Sequence, residues 1–170
     1  MDMPLRYEVY RAGAKGHAQV IVLSHDVEGA YTHYWRGRSS KCSGDDCEAC
    51  NQNVSRRWRG YLVVANPRSK EMSLLELTPA AMPPVDAFFK THRTLRGALL
   101  STRRIPAKEN GRLHSTIQES CYEMDSFRKP PSVRLLLQKL WGLKNEPKND
   151  ADPARQVRLD NDDEEQRSAK

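Results

Sequence analysis

Four side chains in one short stretch have the types and spacing of a metal site. They are His33, Cys42, Cys47 and Cys50, with eight, four and two residues between successive members. Two cysteines separated by two residues let one tight turn aim both sulfurs at a single ion, while turn amides stabilise the thiolates. A third thiolate and an imidazole complete a tetrahedron with no open position, the pattern of a structural rather than a catalytic site. Soft donors in a closed set favour Zn2+ over Mg2+ or Ca2+. Ser43, Gly44, Asp45 and Asp46 supply small, turn-forming residues between the first two cysteines. His33 is the nearest source of the fourth ligand; Cys121, His25 and His17 are the alternatives. The plainer alternative to a metal site is three free thiols in a mobile loop.

Catalysis finds little support. Glu48 sits between two of the cysteines, but the His-x-Glu and Pro-Cys-x-x-Cys pairing of zinc deaminases is absent. No nucleophile–base pair, P-loop or dinucleotide fingerprint is present. The sequence predicts a protein that is not an enzyme.

Aromatic and basic residues interleave on both sides of the cluster: Tyr31, Tyr34, Trp35, Arg36 and Arg38 before it, Arg56, Arg57, Trp58, Arg59 and Tyr61 after it. In a strand, Arg57, Arg59 and Tyr61 share one face, which reads as solvent-facing, and Trp58, Gly60, Leu62 and Val64 share the other, which reads as core. Bases stack on aromatic rings for roughly 1–3 kcal/mol each, and arginines hold phosphates. The expected nucleic-acid contacts are therefore Tyr34, Trp35, Arg36, Arg38, Arg56, Arg57, Arg59 and Tyr61. Arg103 and Arg112 are expected to extend the groove.

Charge agrees with such a partner. The 170 residues carry a net charge of +6, distributed as +8 over residues 1–150 and −2 over residues 151–170. A basic body fits a polyanion, and an acidic tail would compete for the same surface. No apolar run approaches the ~20 residues of a membrane span. Residues 1–10 lack the apolar stretch of a secretory leader. A cytoplasmic protein is expected, and in a reducing compartment clustered cysteines bind metals more often than they pair.

The elements that must position these residues follow from pattern. Residues 1–16 read as a loose lead-in, residues 17–144 as one domain, and residues 145–170 as a disordered acidic tail. Strands are predicted at 19–24, 58–66, 73–78, 96–105 and 113–119. A helix is expected after Pro83 and Pro84, and another at 132–143, where Val133, Leu136, Leu137, Leu140 and Trp141 form an apolar stripe. Asn110 and Gly111 mark a hairpin between the last two strands. Residues 25–57 form the zinc lobe; over 25–55 they show neither helical nor strand period, so an ordered lobe needs the metal. The predicted class is mainly β with two helices (α+β). Its helix between the third and fourth strands matches an OB-fold-like, five-stranded antiparallel barrel with an inserted zinc lobe.

With His33, Cys42, Cys47 and Cys50 set in that strand order among basic and aromatic residues, and an acidic tail behind, the chain resembles the single-stranded-DNA-binding proteins of large tailed phages. The layout of residues 17–120 and those four ligands carry the resemblance. It implies an OB-fold, a structural zinc, cooperative coating of single strands and a tail that contacts replication proteins. Spacings are shorter here, and the tail ends at Arg167, Ser168, Ala169 and Lys170 rather than in acids. The expected partner is single-stranded DNA, with RNA possible, read with little sequence preference. Replication or recombination proteins are expected at the tail or the 132–143 helix. The alternative is a zinc-stabilised protein-interaction or adaptor module in a replication or transposition assembly.

Overall fold

Both faces of the central strand are apolar, and that dictates the layering. In β5 (Arg56–Ala65), Tyr61, Val63 and Ala65 point one way, Leu62 and Val64 the other, and all five are buried. A strand buried on both sides needs a cover on each side. The structure, a computed structural model, describes residues 9–11, 18–108 and 110–142. Around β5 lie β1 (Val9–Tyr10), β2 (Ala18–Val22), β3 (Glu28–Trp35), β4 (Arg38–Lys41), β6 (Met72–Leu77), β7 (Leu99–Ile105) and β8 (Arg112–Gln118). The main sheet runs β1-β6-β5-β2-β7-β8, and β4 pairs with β3.

One edge of β5 is shared by two partners. Ala65 and Val64 pair with Ile21 and Val22 of β2, whereas Arg56 to Tyr61 pair with His33 to Glu28 of β3. The half of β5 beside β2 therefore belongs to the core, and the half beside β3 forms an arm with the β3–β4 hairpin.

The two covers are helical. On one face Val20, Val22, Leu62, Val64, Leu75, Leu77, Leu100 and Leu113 pack on Met82 and Val85 of α2 (Met82–His92). Pro83 and Pro84 occupy its first turn, where a missing N–H costs nothing. On the other face Ile21, Leu23, Tyr61, Val63, Ala65 and Leu74 pack against Phe127 and against Leu136 and Leu137 of α3 (Val133–Trp141). Gly142, at φ +67, ends α3 in the left-handed conformation.

The mainly β class with two longer helices and all five predicted strands are present. Closure into a barrel is not: the sheet is open and mixed, because β6 carries β1 in parallel on its outer edge, Val9 opposite Leu74. A short 3-10 turn (Pro79–Ala81) and α2 sit in the gap between β6 and β8, where Ser115 Oγ donates to the Ala81 carbonyl. The supposedly loose lead-in thus contributes a strand at Val9–Tyr10. Residues 25–55 are also more regular than expected, since they contain β3 and β4. Arg36 (φ 52) and Gly37 (φ 77) both take left-handed conformations and join the two strands in a two-residue turn, from Trp35 opposite Arg38. Such a turn fits the right-handed twist of its strands. The tail from residue 145 lies outside the described residues. Among the described residues no helix is long and apolar enough to cross a membrane.

Candidate metal centre

The β3–β4 hairpin and a short knuckle after it bring the four predicted ligands together. His33 lies near the end of β3, on the same side of the arm as Tyr31 and Trp35. Cys42 follows β4 directly, and its N–H donates to the Tyr31 carbonyl at 2.8 Å, which extends the hairpin by one rung. Gly44 (φ +82) then turns the chain into a 3-10 segment (Gly44–Asp46), and the Cys47 N–H closes it on the Gly44 carbonyl at 3.1 Å. From Cys47 a single helical turn, α1 (Glu48–Asn51), carries Cys50 back beside it.

Imidazole and three sulfurs converge within 4.8 Å of one another. Cys42 Sγ lies 3.6 Å from Cys50 Sγ, and Cys50 Sγ lies 3.4 Å from His33 Nε2. A disulfide would need about 2.05 Å. A tetrahedral ion with bonds of about 2.3 Å to sulfur and 2.0 Å to nitrogen has S–S edges of about 3.8 Å and S–N edges of about 3.5 Å. The Cys42–Cys50 and Cys50–His33 edges match those values, and the other donors lie close enough to complete the set. His33 is 1% exposed, and Nε2 is the nitrogen turned toward the sulfurs, while Nδ1 is buried with no hydrogen-bond partner among the described residues. Cys121 is exposed and His25 Nδ1 bonds Thr94 Oγ1 at 2.9 Å; neither joins the cluster, and His17 lies outside the described residues.

The thiols are unequal. Backbone N–H groups of Cys50 and then Ser43, donating toward Cys47 Sγ, hold the Cys47 thiol down at about 6 against the opposing effect of burial. The Cys50 thiol is pushed up to about 11, first by its hydrogen bond with Cys42, then by burial. One sulfur is thus ready as a thiolate, and the crowded sulfur beside it keeps its proton until a cation compensates the charge. A divalent soft ion would supply that compensation.

Two contacts brace the arm, one within it and one onto the core. Arg36 pairs with Glu48 at 2.6 Å, joining the hairpin turn to the knuckle, though both side chains are exposed and the pair adds little stability. Trp58 matters more. Its indole lies against Gly29 and Gly60, where an added Cβ would fall 2.9 Å from the ring, and it packs on the α2 core. Glycine is required at both positions for this close approach.

The candidate nucleic-acid residues separate into groups. Tyr34 is 71% exposed at the tip of the arm. Arg38, Arg56 and Arg57 are exposed, with Arg56 over the Tyr31 ring at 4.9 Å. Trp35 is half-buried beneath the Arg36 guanidinium, 5.3 Å from the ring centre. Arg59 is paired with Glu76 at 3.3 Å. Tyr61 departs from its expected role: it is 1% exposed and meets Trp141 edge-on at 5.7 Å, because α3 covers that part of β5. Arg103 and Arg112 do not extend the groove either. Ile21 stands opposite both Ala65 and Leu99, so Arg103 lies beyond the far end of β5, roughly 40 Å along the strands from Arg56 at about 3.3 Å per residue.

Sequence reasoning missed Arg11, Ser39 and Glu76. Arg11 bonds Glu76 at 3.2 Å through Nε and Ser39 Oγ at 3.2 Å through Nη2, and the Tyr61 hydroxyl lies 3.4 Å from Glu76. A single carboxylate within the apolar run of β6 was the available signal, since a buried acid demands cationic partners. No family description, curated protein or solved structure matches this chain.

Proposed function

We propose that this protein binds a structural zinc ion through His33, Cys42, Cys47 and Cys50, and uses the arm so stiffened to hold single-stranded nucleic acid, DNA first, without strong sequence preference. The observation that carries the zinc assignment is the cluster itself: one imidazole nitrogen and three sulfurs within 4.8 Å of one another, with Cys50 at near-tetrahedral edge distances of 3.4 Å from His33 and 3.6 Å from Cys42. Three sulfurs and a nitrogen suit zinc, and a closed set leaves no position for a substrate.

Support for the nucleic-acid partner comes from chemistry around that cage. Among the described residues Tyr34 is the most exposed of the large apolar side chains, with the exposed Lys41 and Arg57 on its face of the arm and Arg38 and Arg56 on the other. An exposed aromatic among cations suits unstacked bases on a phosphate chain. The strand neighbours β2–β5, β5–β6, β2–β7 and β7–β8, with a helix between β6 and β7, follow the order of an OB-fold left open at one seam. Fluorescence anisotropy with a labelled mixed-sequence 30-mer tests the reading. Binding at 50 mM salt that favours the single strand over the duplex and weakens steeply by 200 mM is expected; no binding at 50 mM contradicts it.

A further inference from the structure

The arm has two faces, and register assigns each side chain to one of them. Tyr31, His33 and Trp35 of β3 share a face with Trp58 and Arg56 of β5 and with Ser40 and Arg38 of β4. The cysteine knuckle folds onto that face through His33, and Trp58 packs into the α2 core beside it. Ala30, Thr32 and Tyr34 share the opposite face with Arg59, Arg57, Lys41 and Ser39. One rung of it reads Arg57, Thr32, Lys41, two cations across a small central residue. Ala30 joins the core beneath α3, and the buried Thr32 lies between its rung neighbours, while Arg57, Lys41 and Tyr34 are exposed. Arg11 reaches over from β1 to Ser39 and remains half exposed.

We infer that a single strand of nucleic acid lies on this second face, turned away from the cysteines. Arg57, Lys41 and Arg11 hold phosphates, and one base stacks on Tyr34. Arg59, tied to Glu76, is a positioning residue that fixes Arg11 through their shared carboxylate. Three strands at about 4.8 Å spacing give a strip roughly 10 Å wide. Such a strip is wide enough for one sugar-phosphate chain with a base stacked beside it on Tyr34. Arg38, Arg56 and Trp35 then belong to the cage side, and Arg103 and Arg112 to neither. This placement depends on the nucleic-acid reading above.

The same 30-mer assay, run on the zinc-loaded full chain, tests it with three variants. Y34A/K41A/R57A is expected to bind tenfold or more weakly with its zinc content unchanged. Its salt dependence should become shallower by about 1.4 logarithmic units per decade, as two phosphate contacts are lost. Should the triple variant fail to fold, Tyr34→Ala alone, at an exposed position, is expected to bind about fivefold more weakly. Wild-type affinity in Y34A/K41A/R57A or in a folded Tyr34→Ala overturns the placement and leaves the nucleic-acid reading standing. So does a loss confined to R38A/R56A. A wild-type chain that binds no strand at 50 mM salt removes the reading and the placement together.

Discussion

The two halves of β5 are stabilised by different physics. From Gly60 to Ala65 the strand is buried on both faces and held by β6 along one edge, with β2 beside Val64 and Ala65 and the start of β3 beside Gly60 and Tyr61 on the other; Leu62 and Val64 are inaccessible to solvent. From Arg56 to Arg59 its side chains are exposed or half-buried, its partner is a hairpin, and the buried groups nearby are small or polar: Ala30, Thr32, the His33 imidazole and the Cys47 thiol. Burying apolar area at about 25 cal/mol per Å2 sustains the first half. The second half has little such area, and a metal cage is the stabiliser its residues can supply. The arm is therefore expected to depend on metal and the core to be indifferent to it.

The strongest way to break that contrast is Cys47→Ser. Zinc content is expected to fall from about one ion per chain to near zero. Amide hydrogens of residues 28–59 should then exchange rapidly while those of β6 and β7 stay protected, as mass spectrometry of exchanged peptides will show. Equal protection in both regions would erase the distinction. The complementary substitution, Leu62→Ala, empties a site at 0% exposure. It should cost about 2–5 kcal/mol of global stability by denaturant unfolding, with zinc stoichiometry retained in the folded protein.

Smaller effects sharpen the boundary. Gly37→Val places a β-branched residue at φ 77 in the hairpin turn and is expected to cost about 1–2 kcal/mol, read as weaker zinc retention against a chelator rather than as a lower core stability. Tyr61 marks the core side. Burial, with the Glu76 charge second, raises its phenol well above the ordinary range. The folded chain then keeps this proton where the unfolded chain releases it, so stability is full below about pH 10 and declines as pH rises further. Tyr61→Phe should flatten that alkaline decline in thermal melts, with little change at pH 7.

Much of this was legible in the chain itself. His33, Cys42, Cys47 and Cys50 were identifiable because ligand chemistry is local: a turn and a hairpin suffice to close the set. The strands around Val20 to Val22 and Leu62 to Val64 announced themselves through short apolar runs between turn residues. The β3–β4 hairpin did not, because its turn uses Arg36 and Gly37 instead of Asn-Gly and its strands carry polar residues on both faces. Tyr61 was misread for a non-local reason. Alternation assigns it to the Arg57 face, yet whether that face meets water depends on α3, which is more than seventy residues further along the chain. The separation of Arg103 from Arg56 was equally hidden, since it follows from β2 and β3 sharing one edge of β5.

X-ray absorption at the zinc edge, on protein purified without added metal, addresses the central claim most directly. One zinc per chain, with about three sulfurs at about 2.3 Å and one nitrogen at about 2.0 Å, is the result this structure predicts. A metal-free chain whose residues 28–59 are nonetheless as protected from exchange as its core would contradict it.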